Sequence, residues 1–510
     1  MLQPIAPPPG MYKNGTPYGR KGRWVDGNLV RWHDGSIRPV GGWTRRQQAA
    51  GAGDIPSFIT TPADEAARDM FAWRDNGNGQ NVVIGTNEAL YHLDSLGTVT
   101  DITFAGFTPN NGSKDPSTDS GYGRGLYGSG PFGVSTGSTG SEPLPPDRWY
   151  FAAFGEILIS GVRGNDDMHE LNIGTLTMSV VTNAPTEPQD VCVSDQRQVI
   201  AIGGSGQPRR FQASEIEDRT DWTPATANQA VDRTVEGTGK LLRCIPVLRQ
   251  ILLLGENDAR TARYIGPPYV YAIDLAAENC GPIAAEAVAK TERFAVWWGQ
   301  RNFWMFDGSV KILDCEVMDF LQSDISENDI SKITAFTNTD YTEIWWLYQS
   351  TSSTTGEIDS YVVWDYVART WNTGRISRTV GLDKGVTSTP IYIDPDGLIY
   401  NHELDGVLPD GTIFVESSGY EIGNGDVNVG VQFIYPDSEN TGGLEYRLIT
   451  RQLPNDAEYT FGPYTYQSSA PIPTTGVLGR EVKLRVDVSD AAAEIGTHRL
   501  DIVGGGTGKR

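Results

Sequence analysis

Short apolar segments alternate with polar turns from Trp24 onward, and almost none of the chain shows the spacing of an amphipathic helix. The apolar segments are rich in Val, Ile, Trp, Tyr and Phe, and Gly, Asn and Asp separate them, which is typical of short β-strands joined by tight turns. Asn81 to Thr103 and Phe294 to Leu313 share one layout, in which two turns separate three strands. The pattern therefore predicts an all-β protein.

Related three-strand layouts recur along the chain and give six or seven units. One sheet of three or four strands cannot bury both of its faces, so such units pack side by side around an axis. We therefore expect a β-propeller of six or seven blades over residues 21–408, with an N-terminal extension over residues 1–20.

Two stretches depart from this pattern. Residues 106–146 are rich in Gly, Ser, Thr and Pro and too polar to form a core, so we expect a long surface loop that packs on a neighbour. Residues 409–510 contain longer alternating strands, and in Glu481 to Val488 the apolar side chains fall on one face, which predicts a β-sandwich domain. Short helices are expected only at Cys315 to Ile325 and in the Ala-rich stretch Leu275 to Val288.

The charge balance limits the function classes. The 510 residues include 41 basic and 64 acidic side chains, for a net charge of −23, which argues against a surface that grips nucleic acid through its phosphates. Hydrophobic residues make up 38% of the chain, enough for a substantial core. We find no apolar run of membrane-spanning length, and the first residues lack the basic start and apolar segment of a secretory signal.

Motifs for catalysis or metal binding are not apparent. The four cysteines, Cys192, Cys244, Cys280 and Cys315, have no metal-binding spacing and are expected to be free thiols, and the five histidines are scattered. The chain has no GxSxG motif and no phosphate-binding loop. We therefore predict no catalytic, cofactor-binding or metal-binding residues and no enzymatic activity.

Two alternatives stay open at this point. Propeller glycosidases gather carboxylates from different blades, and sequence spacing does not reveal such a group. The second alternative is a carbohydrate-binding protein, in which aromatic faces stack on sugar rings; the same aromatic residues would otherwise pack between blades. The aromatic residues that would either stack on a sugar or pack between blades are Trp297, Trp298, Trp304, Trp345 and Trp346.

Several motifs, taken in order, resemble one family, the tail hub or nozzle proteins of short-tailed bacteriophages, also called phage stabilisation proteins. The matching segments are GRWVDGNLVRWHDGSIRPVGGW (Gly22 to Trp43), GYGRGLYGSGPFG (Gly121 to Gly133), ENCGPIA (Glu278 to Ala284), WWGQRNFWMFDG (Trp297 to Gly308), EIWWLYQS (Glu343 to Ser350), DGLIYNHELDG (Asp396 to Gly406), FGPYTY (Phe461 to Tyr466) and the C-terminal GREVKLRVDV strand with the RLDI strand after it. Their shared order over most of the chain carries the resemblance.

The resemblance implies a structural virion protein of the phage tail, made in the host cytoplasm. Six copies would form a ring that extends the portal and adaptor channel, closes it before infection and lets double-stranded DNA pass during ejection without sequence-specific binding. The implied partners are other copies of the chain, the tail adaptor protein, and tail fibre, spike or needle proteins, with no cofactor. An acidic lumen would repel the duplex and keep its transit smooth. A basic lumen would instead neutralise phosphates, release their counterions and so hold the DNA.

Basic residues crowd the first fifty positions, and tyrosines lie in the Gly-rich loop. The basic residues form either a solvated strand face or a docking surface for an acidic partner, where charge complementarity sets specificity. The candidate interface residues are Arg38, Arg45, Arg46, Tyr122 and Tyr127.

Overall fold

The chain forms a β-propeller joined to a β-sandwich in a computed structural model. The model describes residues 1–51, 53–117, 144–421, 427–439, 443–453, 455–466 and 470–505. Within these residues, seven four-stranded antiparallel sheets follow one another as blades 1 to 7. The predicted all-β fold with a propeller is thus confirmed, and the number of blades is seven.

Each blade has four strands, which follow one another from the innermost to the outermost. Blade 1 contains Ala67–Arg74, Gln80–Thr86, Leu90–Leu93 and Val99–Asp101; blade 2, Trp149–Phe154, Ile157–Val162, His169–Asn172 and Thr177–Val180; blade 3, Asp190–Val193, Val199–Ile202, Arg210–Ala213 and Val231–Thr234; blade 4, Leu241–Val247, Gln250–Gly255, Asp258–Gly266 and Val270–Glu278. Blade 5 contains Val288–Lys290, Ala295–Trp298, Phe303–Phe306 and Val310–Leu313; blade 6, Thr334–Asn338, Glu343–Tyr348, Ser360–Asp365 and Thr370–Arg375; blade 7, Val380–Leu382, Ile391–Ile393, Ile399–Leu404 and Gly42–Arg45.

Blade 7 closes the ring with a strand from the other end of the chain. Its three inner strands come from residues 380–404, whereas the outermost strand is Gly42–Arg45, with Tyr400 opposite Arg45 and Leu404 opposite Gly42. The first strand of blade 7 contacts the first strand of blade 1. The propeller is therefore held shut by backbone hydrogen bonds between segments far apart in sequence.

Aromatic and branched side chains fill the space between blades. The second strand of blade 6, Glu343–Tyr348, is buried along its whole length, and Trp345 and Trp346 stack against aromatic residues of the neighbouring elements. Tight turns join the strands: in blade 2, Gly155 adopts a φ of 67° between Phe154 and Ile157, a conformation that glycine adopts without steric cost. Local sequence therefore encodes the blades.

The sandwich is built from both ends of the chain. One sheet contains Leu2–Ile5, His498–Gly505, Asn428–Tyr435, Ile472–Pro473 and Leu478–Gly479; a second contains Trp24–Asn28, Ile413–Ser417, Glu481–Val488, Leu444–Arg451 and Tyr459–Thr465; a smaller third sheet contains Val30–His33, Ser36–Pro39, Glu494–Ile495 and Ser438–Glu439. In Glu481–Val488, the side chains of Val482, Leu484, Val486 and Val488 are buried, as the alternation predicts.

The predicted domain boundaries are wrong at the N-terminus. Residues 1–20 are not a separate extension, because Leu2–Ile5 pairs with His498–Gly505. Residues 24–39 belong to the sandwich and not to the propeller, which begins at Gly42. The reason is that these strands find their partners several hundred residues away, which local patterning does not reveal. At the other end, blade 7 ends at Leu404 and the next sandwich strand begins at Ile413, on either side of the predicted boundary.

Helical structure is limited in the described part of the chain. The α-helix Met318–Asp324 lies inside the predicted segment Cys315 to Ile325, and short 3-10 helices span Ala49–Gly51, Glu327–Lys332 and Thr339–Tyr341. The helix expected in the Ala-rich stretch is wrong: Leu275 to Glu278 end the outermost strand of blade 4. Cross-strand pairing with Asp258–Gly266 outweighs the helix propensity of alanine there.

A buried ionic group joins the sandwich to the propeller. Arg31, in the third sheet of the sandwich, donates to both carboxylate oxygens of Glu343 in blade 6 at 3.0 Å. It also donates to Glu403 in blade 7 at 2.6 and 2.8 Å. The side chains of Arg31, Glu343 and Glu403 are at most 7% exposed. The sandwich and blades 5 to 7 also share one hydrophobic core, so the two parts form a single packed unit.

We predict that Arg31→Met lowers the free energy of unfolding by about 3–5 kcal/mol, because it leaves two buried carboxylates without their cation. Arg38→Met is the matched control: its partner Glu494 and Arg38 itself are partly exposed, at 27% and 43%, so its loss is expected to cost less than about 1 kcal/mol. Urea unfolding of both variants measures the difference. Equal midpoints for the two variants would contradict the role of Arg31.

Candidate functional site

Two of the predicted interface residues, Arg45 and Arg46, lie together at the outer edge of blade 7. Arg45 Nη2 donates to the Ile55 carbonyl at 2.7 Å, and Arg46 Nη1 donates to Asn401 Oδ1 at 3.0 Å. Partial burial lowers the pKa of Arg46 from its ordinary value. Among the described residues, neither guanidinium has a carboxylate within 4 Å, and Asp54 lines the same groove without pairing with either. The groove beside them has a volume of about 720 Å³.

The other candidates do not join this groove. Arg38 lies in the third sheet of the sandwich, where Nη2 contacts both oxygens of Glu494 at 2.9 Å, and it lines a separate cleft beside Tyr341. Tyr122 and Tyr127 lie outside the described residues. The structure therefore brings together Arg45 and Arg46 only.

The tryptophans considered for sugar stacking are mostly core residues. Trp297, Trp298, Trp345 and Trp346 are at most 2% exposed. Trp297 Nε1 donates to the Cys280 carbonyl, and Trp346 Nε1 donates to the Ala287 carbonyl at 3.0 Å. Their faces pack between strands and blades, so these four rings offer no platform for a sugar.

A cluster of opposite charges occupies one end of the propeller's central channel. We call it the channel cluster; it lies where the first strands of the blades begin. Its members are Asp69, Arg148, Arg163, Asp190, Arg243 and Glu286. Three arginines face three carboxylates, so the cluster is neutral as a whole.

Each arginine of the channel cluster links several blades. Arg148, at the start of blade 2, contacts Asp69 of blade 1 at 2.9 Å and donates to Thr334 Oγ1 of blade 6 at 2.9 Å. Arg163, after the second strand of blade 2, contacts Asp190 of blade 3 at 2.7 Å and Glu286, before blade 5, at 2.5 Å. The ion pairs therefore tie blades across the axis.

Arg243 completes the cluster from blade 4. It lies 3.2 Å from Asp190 and 2.5 Å from Glu286, so Glu286 receives two guanidinium groups. Burial alone would raise the pKa of Glu286, but Arg163 and Arg243 outweigh it and hold that pKa at about 2. Glu286 is therefore ionised at neutral pH and is locked in ion pairs.

Beyond the channel cluster lies a cavity of about 420 Å³ between the first strands of the blades. Charged side chains of the channel cluster line part of this cavity, and apolar side chains such as Met70, Phe71, Phe151, Ile245 and Val288 line another part. At the end away from the cluster, the cavity meets a wider mouth of about 880 Å³. The channel is therefore open to one side of the propeller and filled by charged side chains on the other.

Sequence reasoning missed the channel cluster. Its six residues come from five blades or the segments beside them and share no spacing in the sequence. The weak signal available was that charged residues lie at or near the start of several first strands, as Arg68 and Asp69 do in the strand Ala67–Arg74 and as Arg148 does directly before Trp149. Only the ring of blades brings these positions together.

The described ranges contain neither a metal-binding group nor a membrane-spanning helix. No set of three or more His, Cys, Asp or Glu side chains there has the arrangement of a metal site. In the same residues, no helix is long and apolar enough to cross a membrane. Cys192, Cys244 and Cys280 are buried free thiols, and Cys315 is partly buried.

Comparisons with known proteins give similarity of fold only. No family model matches the chain, and no curated protein does. Similar solved structures include PorZ, a surface component of the type-IX secretion system of Porphyromonas gingivalis, with 9% identity and a TM-score of 0.37 over 81% of this chain and 44% of that one. A quinoprotein alcohol dehydrogenase-like protein of Bacteroides thetaiotaomicron has 9% identity and a TM-score of 0.34, with 61% and 66% covered. Hsv2 of Kluyveromyces marxianus has 8% identity and a TM-score of 0.31, with 48% and 72% covered. These values identify no function for the chain.

We predict that Glu286→Gln destabilises the protein in a pH-dependent way. The pKa falls from 4.5 to about 2 on folding, so ionised Glu286 stabilises the folded state fully above pH 4.5 and loses this effect as the pH falls toward 2. The free energy of unfolding of the variant should be about 3 kcal/mol lower than that of the wild type at pH 7, and this difference should become smaller as the pH falls.

Urea unfolding at pH 7 and at several lower pH values measures this effect. Glu217→Gln is the control. Because Glu217 is 57% exposed in its ion pair with Arg197, its substitution should lower the free energy of unfolding by less than about 1 kcal/mol. A pH-independent difference between wild type and Glu286→Gln would show that Glu286 is not held as a buried carboxylate.

Proposed function

We propose that this protein is a tail nozzle subunit of a short-tailed bacteriophage, one of several copies in a ring that extends the portal and adaptor channel. The observation that carries the proposal is the distribution of charge. The six charges of the channel cluster balance one another, so the net charge of −23 comes from residues outside the cluster. An acidic outer surface suits a tube that guides duplex DNA without holding it.

The pairing of the basic residues supports the same proposal. Most described arginines and lysines lie within 4 Å of a carboxylate, many of them in buried pairs such as Arg68–Glu357 and Arg209–Asp258. Cations committed to internal pairs are not available for phosphates. The unpaired carboxylates then dominate the surface that solvent and DNA encounter, and a ring of six such subunits repels the duplex from its lumen.

A stiff connection between the two domains also fits a tail component. Arg31 and the shared core fix the sandwich to blades 5 to 7. A subunit that transmits the pressure of a packaged genome must keep its shape under load, and two domains with one core meet that need. The motif resemblance spans both domains in the same order, which supports one role for the whole chain.

The groove of Arg45 and Arg46 is the docking surface that we propose for an acidic partner, the tail adaptor or a neighbouring subunit. Both guanidinium groups lie at the edge of blade 7 with only neutral hydrogen-bond acceptors among the described residues. A carboxylate-rich partner surface would supply the missing counter-charges, and such pairs set specificity and encounter rate.

We predict that the protein forms a ring of six copies, alone or on the portal–adaptor complex of its phage. Native mass spectrometry measures the stoichiometry, and electron microscopy of the same sample shows whether the copies enclose a bore. A protein that remains a monomer in both settings and cleaves host surface polysaccharide would reject the nozzle function in favour of the carbohydrate alternative.

We predict that the double substitution Arg45→Glu and Arg46→Glu prevents docking, because it replaces two unpaired cations by charges that repel an acidic partner. Binding to the purified portal–adaptor complex should fall by at least about tenfold, the effect of losing one charged contact. Arg197→Glu, in an exposed ion pair on blade 3, is the control for a change in net charge. Equal binding by both variants would exclude this docking surface.

A further inference from the structure

The cavity of the propeller channel has one cation whose charge is not matched. Four cations line it, all of them described residues: Arg68, Arg163, Arg243 and Lys290. The three arginines each form an ion pair with a carboxylate. Lys290 has no carboxylate of the described chain within 4 Å; its Nζ makes one long contact of 3.5 Å, to the Pro246 carbonyl.

Lys290 stands where the cavity meets the mouth. It is the last residue of the first strand of blade 5 and lines both spaces. The side chain is accessible from the channel, yet the surrounding protein lowers the pKa of its amine. Among the described residues no carboxylate lies within 4 Å to offset this effect, so solvent compensates the charge of the exposed amine. A bound anion would supply that compensation.

Arg163, a member of the channel cluster, also lines the cavity. The Nε–H of Arg163 is buried and has no hydrogen-bond partner among the described residues. Between this donor and Lys290, the wall is formed by apolar side chains of the first strands, including Met70, Phe151 and Ile245. The cavity thus combines apolar side chains of the first strands with Lys290 near the mouth and with ion-paired side chains of the channel cluster, including the carboxylates of Asp69, Asp190 and Glu286.

We propose that this cavity binds a small organic monoanion, with an aromatic or branched apolar body between the blades and a carboxylate or sulfonate group on Lys290. The volume of about 420 Å³ lies within the range of small-molecule sites. A single negative charge is favoured, because the mouth is lined by two carboxylates, Asp195 and Glu292, as well as by Arg249 and Lys290, and so has no excess of positive charge for a more highly charged group such as phosphate. This site is independent of the proposed nozzle function.

Two fluorescent probes of nearly the same shape test the proposal. The first, 1-anilinonaphthalene-8-sulfonate, carries one sulfonate, and the second, N-phenyl-1-naphthylamine, is its uncharged relative. Both are titrated into wild type, Lys290→Met and Lys290→Arg. Lys311→Met is the control from the same blade, because Lys311 is 47% exposed and lies outside the cavity.

We expect wild type to bind the sulfonate saturably. Lys290→Met should bind it at least about tenfold more weakly, because the substitution removes one charged contact to the sulfonate. The affinities of Lys290→Arg and Lys311→Met for the sulfonate should stay within about twofold of the wild-type affinity. The uncharged probe should bind wild type and Lys290→Met alike, because the apolar wall is unchanged. Equal sulfonate affinity in wild type and Lys290→Met, or no saturable binding to wild type, would overturn the proposal.

A second measurement needs no substitution and so does not depend on the folding of a variant. Acetic anhydride acetylates accessible lysine amines, and peptide mass spectrometry reads each site. The sulfonate should slow acetylation of Lys290 and leave that of Lys311 unchanged. Acetylation of Lys290 at the same rate with and without saturating probe would place the probe elsewhere and overturn the site.

Discussion

Closure of the propeller ring is the constraint on which the rest of the structure depends. Blade 7 lacks its outermost strand until Gly42–Arg45 is added from the N-terminal region. The residues just before that strand, Val30–His33 and Ser36–Pro39, belong to the sandwich. The strand that closes the ring therefore also anchors the sandwich, and it places Arg31 between Glu343 and Glu403. One non-local strand pairing thus links the closure of the ring to the sandwich strands that precede it.

Charge is organised on two levels in this molecule. Buried charges are matched locally, in the channel cluster and around Arg31, because an unpaired charge in a low-dielectric interior costs several kcal/mol. The excess of carboxylates lies outside these groups. Lys290 and, at the edge of blade 7, Arg45 and Arg46 have no carboxylate within 4 Å among the described residues, and a ligand or partner is proposed at these two places. Buried Arg378 also forms no ion pair there; it donates to His402 and to the Ser377 carbonyl.

The local part of this architecture was predictable from sequence, and the non-local part was not. Alternating apolar and polar positions predicted the blades and the buried face of Val482, Leu484 and Val486 correctly, because strand periodicity is a property of neighbouring residues. The N-terminal boundary was wrong because Leu2–Ile5 and Trp24–Asn28 pair with distant strands.

The candidate site shows the same division. Arg45 and Arg46 were found because they are adjacent in sequence. The channel cluster was missed because its members meet only after seven blades close into a ring; Arg163 and Glu286, for example, are brought to 2.5 Å from different blades. The Ala-rich stretch was misassigned because cross-strand pairing, and not helix propensity, decides its conformation. Contacts of this kind depend on topology, which single-sequence patterns do not contain.

We propose that the propeller is a wall element of a DNA conduit and not itself the conduit. A cryo-electron microscopy reconstruction of the protein on its portal–adaptor complex tests this most directly. The account predicts a ring of six copies whose bore lies between subunits and is lined by carboxylates, with each propeller channel still filled by the channel cluster. A bore lined by arginines and lysines that contact DNA phosphates, or an assembly without a common bore, would contradict it.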